Sequence, residues 1–151
     1  IANYNSPSQC VISGTEADVA AAEEKLKAAG AKCVVRLKVS GAFHSPIMRP
    51  ASEAFAQLLA EVEFKDPKGF VYSNVSGKRI VSGSQAKELA AAQIISPVRW
   101  IDEEAAISAD GFERCVETGP GSVLAGLWKA SGSPVPCYAG GTLDAIASIS
   151  L

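Results

Sequence analysis

The sequence predicts an α/β fold, and three observations carry that reading. Short apolar runs of strand length alternate with longer stretches whose apolar residues recur at helical spacing. Glycine and proline turn signals separate them. The composition, 48% hydrophobic and 20% charged over 151 residues, is that of a chain with enough apolar material to build a core. Strands alternating with helices imply a largely parallel sheet.

Gln9 to Ser13 reads as a short buried strand ended by Gly14. Thr15 is placed to cap a helix, with Asp18 three residues on completing a capping box. Val19, Ala22, Leu26 and Ala29 follow at helical spacing, and Gly30 suits the residue just past the helix end. Cys33 to Val39 then predicts a second strand alternating around Arg36 and Lys38, so 9–39 reads as a β-α-β unit. Ser45 can cap the next helix and Pro46 fits its first turn, where a missing N–H costs nothing. Met48, Ala51, Phe55, Leu58, Leu59 and Val62 form its apolar stripe. Strands follow at Phe70 to Tyr72 and around Ile80, a helix at Ser84 to Ile95, and another at Ile101 to Ala109. Phe112 to Val116 is a strand, Gly119-Pro120-Gly121 a turn, Ser122 to Lys129 a helix, Val135 to Tyr138 a strand, and Leu143 to Ile149 a last helix. The change of character near Val39 to Gly41 divides the chain into segments 1–39 and 40–151.

Several function classes fall away. A net charge of −2 without a basic block gives no reason to expect nucleic acid. No apolar run approaches the roughly 18–20 residues that cross a bilayer, so no membrane is expected. Cys10, Cys33, Cys115 and Cys137 form no C-x-x-C pair, which argues against zinc and against a disulfide framework. They read as reduced, mostly buried small hydrophobes, which points to a cytoplasmic location. Neither metal nor cofactor is implied. The chain opens on Ile1 rather than Met, which reads as a piece of a longer protein.

His44 is the single histidine, in a small-residue loop before a predicted helix. The partial positive charge of a helix N-terminus favours a neutral ring, and a neutral imidazole can accept a proton from a hydroxyl or thiol. A structural histidine bonded to nearby backbone is the bland alternative. No G-x-S-x-G nucleophile elbow occurs in the 151 residues, and neither Ser45 nor the cysteines make a credible nucleophile. Gly119-Pro120-Gly121-Ser122 reads as a tight strand-to-helix turn rather than a phosphate cradle. Asp102-Glu103-Glu104 reads as a solvated face, and Asn3, Asn5 and Gln9 around Pro7 as a polar turn.

Three stretches together resemble a known family. Asn3 to Gly14 is similar to the Asn-x-Asn-x-Pro-x-Gln segment of bacterial malonyl-CoA:acyl carrier protein transacylases. Val39 to Met48 resembles the segment holding their catalytic histidine. Gln93 with Ser96-Pro97-Val98-Arg99-Trp100, followed by Glu117 to Leu124, resembles their Gln-x-x-x-Pro-Val-x-Trp and Gly-Pro-Gly motifs. The resemblance implies a fold with an α/β-hydrolase-like large subdomain, here its carboxy-terminal part at 40–151. It also implies a ferredoxin-like small subdomain, here a part at 1–39.

It further implies ping-pong transfer of a malonyl group from coenzyme A to the phosphopantetheine thiol of acyl carrier protein in fatty acid biosynthesis. A malonyl-serine ester is the intermediate. His44 would be the base and Gln93 would offer its backbone carbonyl to the other imidazole N–H. Phe43 would narrow the space beside the acyl α-carbon, and Asn5, Gln9 and Asn3 would lie near the substrate cleft. Lys32, Arg36, Lys38 and Arg49 would face acyl carrier protein across the rim. The serine motif, the oxyanion donors and the arginine for the malonyl carboxylate are absent from these residues. The expected partners are therefore malonyl-CoA, acyl carrier protein and the missing amino-terminal half of the same enzyme, and the chain alone is expected to be inactive. An acyltransferase domain of a multidomain synthase and a non-catalytic carrier-protein-binding module are the alternatives.

Overall fold

The computed structural model describes residues 1–149, so the last two positions of the predicted 40–151 segment lie outside it. Strands β1 (Asn3–Ser6) and β2 (Gln9–Val11) form an antiparallel hairpin whose turn falls at Pro7 and Ser8. The register shifts between Tyr4 and Ser6, which leaves Asn5 at a bulge. Helix α1 (Glu16–Ala28) starts as its sequence dictates. The Asp18 amide donates to Thr15 Oγ1 at 3.1 Å while the Thr15 hydroxyl donates to the Asp18 carboxylate at 2.7 Å. Gly30 takes a φ of +88°, which a residue with a Cβ adopts only at a cost.

The second strand expected at Cys33 to Val39 does not form. The segment is neither strand nor helix and pairs with no strand among the described residues, and a strand exists only where a neighbour completes its backbone hydrogen bonds. Its alternating Val35, Leu37 and Val39 are 70%, 55% and 66% exposed. Arg36 ties it to α1 through Glu23 at 3.0 Å.

A short 3₁₀ turn at Pro46–Met48 leads into α2 (Arg49–Ala60), with Ser45 as its cap. The hairpin of β3 (Val71–Ser73) and β4 (Lys78–Ile80) follows, then α3 (Gly83–Gln93), which packs on α2. Helix α4 (Trp100–Ala109) lies against β1, both strands of that hairpin and α5 (Val123–Ser131). Strands β5 (Cys115–Glu117) and β6 (Cys137–Ala139) flank α5 and pair in parallel, and α6 (Leu143–Ala147) ends the described fold. The architecture is mixed α/β. Its parallel pairing is confined to β5–β6 and one bridge between Asn3 and Val98; the two hairpins are antiparallel.

Few apolar side chains are fully covered: Ala2, Leu59, Trp128 and Val135. The stripe predicted on α2 buries Leu59 but leaves Leu58 70% and Val62 48% exposed. The surface totals 10090 Å². A compact monomer of this mass exposes about 7,200 Å². The excess reflects apolar faces with nothing packed on them. The four cysteines are free, and they are not the buried small hydrophobes expected: Cys10 and Cys33 are exposed and Cys115 and Cys137 half-buried.

The run Asp102-Glu103-Glu104 also departs from its expected solvated role. Three consecutive helical residues sweep about 200° of a helix, so a helix packed on several sides cannot keep all three in water. Asp102 stays out and pairs with Arg99 at 2.6 Å. Glu103 and Glu104 turn inward and are only 8% and 2% exposed.

Candidate active site around His44

The site is built from the end of one helix and a strained loop. A helix leaves its last carbonyls without intrahelical partners, and at the end of α3 those of Ala91 to Ile94 have defined takers. The Ser52 hydroxyl of α2 donates to Ala91 O at 2.8 Å. The amides of Ile95 and Ser96 fold back onto Ala92 O. His44 takes the rest: its backbone N–H donates to Ile94 O at 2.9 Å, and its ring Nδ1 lies 3.0 Å from Gln93 O and 3.1 Å from Ser96 O.

Two carbonyl acceptors on one ring nitrogen fix the tautomer, because Nδ1 must carry the proton to satisfy either. The Gln93 side-chain amide nitrogen, 3.5 Å from Nδ1, then meets another donor and makes no hydrogen bond there. Nε2 is left with its lone pair. The residue is half-buried.

The loop that presents the ring is held in an unfavourable shape. His44 has a φ of +60°, the only positive value at a non-glycine among the described residues. Such a conformation costs on the order of 1–3 kcal/mol and persists only where surrounding contacts over-determine it. Those contacts are the backbone bond to Ile94 and the neighbouring Ser45, which is buried. The Ser45 hydroxyl donates to Ala42 O at 2.7 Å and accepts from the Ile47 amide at 3.3 Å. Phe43 is 45% exposed, and its ring passes over Gly41, where an added Cβ would lie 3.6 Å from it.

Of the six residues singled out in the sequence, the structure brings His44 and Gln93 into direct contact, with Phe43 beside them. Asn3 lies on β1, one bridge away from Val98, which follows Ser96 and Pro97. Tyr4 N–H donates to Val98 O and Val98 N–H to Ala2 O. Asn5 sits at the bulge and Gln9 opposite Ser6. Among the described residues no hydrogen bond joins the side chains of Asn3, Asn5 or Gln9 to the imidazole.

The second carbonyl, that of Ser96, was missed. Its signal is Pro97: a residue before proline is pushed out of helical geometry, so its carbonyl leaves the helical path and becomes available. The amides of Leu124 and Ala125 at the start of α5 are occupied by the Glu117 carboxylate, at 3.1 and 2.8 Å. No group of three or more metal-ligating side chains occurs among the described residues, and no helix among them is long and apolar enough to cross a membrane.

The site is thus an imidazole held by carbonyls at and just beyond a helix end, in a mixed α/β scaffold. The chain belongs to the acyl transferase domain family, whose model matches residues 1–135. It is 42% identical over 129 residues to the malonyl CoA-acyl carrier protein transacylase of Bacillus subtilis, a match covering 85% of this chain and 41% of that protein. The crystal structure of the malonyl-CoA:ACP transacylase of Synechocystis superposes with a TM-score of 0.90 at 40% identity, covering 98% of this chain and 50% of that one. A malonyl-transacylase solved in complex with a type II PKS acyl-carrier protein superposes with a TM-score of 0.92 at 34% identity, covering 97% of this chain and 47% of that one. This chain therefore spans half or less of the relatives it matches.

Proposed function

We propose that this chain supplies the histidine side of a malonyl-CoA:acyl carrier protein transacylase, and that the serine it serves lies in a further part of the enzyme. The observation that carries the reading is the pair of carbonyls, Gln93 O and Ser96 O, on His44 Nδ1. They orient Nε2 as the atom that takes a proton. The end of α3 also collects partial negative charge, which favours the imidazolium formed once a hydroxyl has given its proton up. A neutral carbonyl pair thus does the orienting work that a carboxylate does in other catalytic triads. In the forward step the serine oxygen attacks the malonyl thioester, its proton passes to Nε2, and Nε2 returns that proton to the departing coenzyme A thiolate. In the second step Nε2 takes the proton of the carrier protein's phosphopantetheine thiol, which attacks the ester, and returns it to the serine.

The unpaired apolar surface supports a partner segment. The excess over a compact monomer is on the scale of an obligate interface, and the exposed, alternating Val35, Leu37 and Val39 suit a run on which a further strand can pair. On this reading 1–39 contributes to a small subdomain and 40–151 to a large one, with Asn3, Asn5 and Gln9 near the cleft where substrate binds. Four free thiols suit the reducing cytoplasm.

The test is malonyl transfer from malonyl-CoA to acyl carrier protein by the natural polypeptide containing this sequence, with and without His44→Ala. Loss of a general base lowers kcat/KM by about 10²–10⁴-fold. Unimpaired transfer in the variant would refute the role given to His44.

A further inference from the structure

Cys115 and Cys137 stand directly opposite each other in the parallel pair β5–β6. Both are free and half-buried, and both line one cavity of about 280 Å³ together with Trp100, Trp128 and Glu117. Residues in register on adjacent strands project to the same face of the sheet, and neighbouring strands lie about 4.7–4.9 Å apart. Disulfides bridge Cα atoms about 4.4–6.8 Å apart. The paired positions therefore fall within the Cα range of a bridge, with both side chains on one face of the sheet.

We propose that Cys115 and Cys137 form a reversible dithiol/disulfide pair, closed by exchange with a low-molecular-weight disulfide such as oxidised glutathione. One thiolate attacks the glutathione disulfide and releases one glutathione. The second thiolate then attacks the mixed disulfide on the protein sulfur and releases the other. Two thiols are oxidised, one glutathione disulfide is reduced to two glutathione molecules, and the two thiol protons pass to solvent or to the departing thiolates. Closure staples β5 to β6 around α5.

Burial pushes both thiols above their ordinary range, and at Cys137 the neighbouring Cys115 sulfur and Glu117 carboxylate add to it. Since the thiolate is the attacking species, closure is slow at neutral pH and speeds up as pH rises. This sets the pair apart from the exposed Cys10 and Cys33, which react first with any thiol reagent but have no thiol facing them.

The experiment uses the 151-residue chain with Cys10→Ser and Cys33→Ser, equilibrated at pH 8.5 across a series of reduced and oxidised glutathione mixtures, folded and in strong denaturant. The expected result is loss of two hydrogens in the intact mass, a peptide linking Cys115 to Cys137, and quenching of the tryptophan fluorescence that reductant reverses. The equilibrium constant for closure should be greater in the folded chain than in denaturant by on the order of tenfold, a shift of about 30 mV. Glutathione adducts without internal closure, thiols that stay free in the most oxidised mixture, or equal constants in both states would overturn the proposal.

Discussion

Glu103→Gln isolates the cost of burying a carboxylate that has no ionic partner. Glu103 is 8% exposed, its Oε2 has no hydrogen-bond partner, and it sits beside Glu104, both of whose oxygens also lack one. Burial foremost, and the Glu104 charge second, push its carboxyl from 4.5 up to about 7. Glu104 is pushed up by burial as well. The Trp100 indole and the Ser131 hydroxyl near it partly offset that without completing hydrogen bonds, and the Ser131 hydroxyl donates to Trp128 O instead.

A carboxyl whose folded pKa is raised binds its proton more tightly in the folded chain than in the unfolded one. Its stabilising contribution is therefore complete below the unfolded value near 4.5, falls as pH rises, and is gone above about 7. At about 1.36 kcal/mol per pKa unit, the difference is about 3 kcal/mol between pH 4 and pH 8. Glutamine keeps the shape and does not ionise, so the variant should lose that part of the pH dependence. Urea unfolding of both chains at pH 4, 5, 6, 7 and 8 measures it. The variant should gain on the parent steadily from pH 4.5 to 7, with any fixed offset from the buried amide cancelling in the slope. A stability difference that stays flat across this range would show that Glu103 is solvated and the packing of α4 is wrong.

Phe43→Ser in an active, complete enzyme should narrow the preference for malonyl over methylmalonyl thioesters, since one methyl is worth roughly 1–3 kcal/mol of discrimination; unchanged relative kcat/KM values would leave Phe43 a packing residue over Gly41. Gly83→Ala should destabilise the chain by about 1–3 kcal/mol or more, because the new Cβ would overlap the Phe64 carbonyl where the Gly83 amide donates to Asp66 at 2.8 Å; chemical denaturation reads it, and an unaltered midpoint would contradict the close approach. The 151-residue chain by itself should show no malonyl transfer, and turnover by mass-verified protein would mean that a nucleophile has been overlooked.

Local rules made much of this legible. The Thr15 cap, the Ser45-Pro46 entry into the helix after His44, the start of α3 and the turn at Gly119 are decided by side chains within a few residues of one another, and each is where the sequence puts it. Cys33 to Val39 reads as a strand because alternation is local, yet a strand's hydrogen bonds come from a neighbour, and here there is none. Glu103 and Glu104 look solvated because charge is local, whereas their burial follows from β1 and α5 closing on α4 from distant parts of the chain. At the site, the pairing of His44 with Gln93 entered through family resemblance; spacing alone could not bring together residues 49 apart. The Ser96 carbonyl was within reach of reasoning through Pro97.

Nitrogen NMR of the His44 ring puts the question most directly, since this is the only histidine in the chain. With uniformly ¹⁵N-labelled protein at alkaline pH, long-range proton–nitrogen correlations should show Nδ1 protonated and Nε2 bare, with the Nδ1 proton shielded from solvent exchange. A ring protonated on Nε2, or one interchanging freely between the two forms as in a small peptide, would mean that the carbonyls of Gln93 and Ser96 do not hold it and that no base has been set in place.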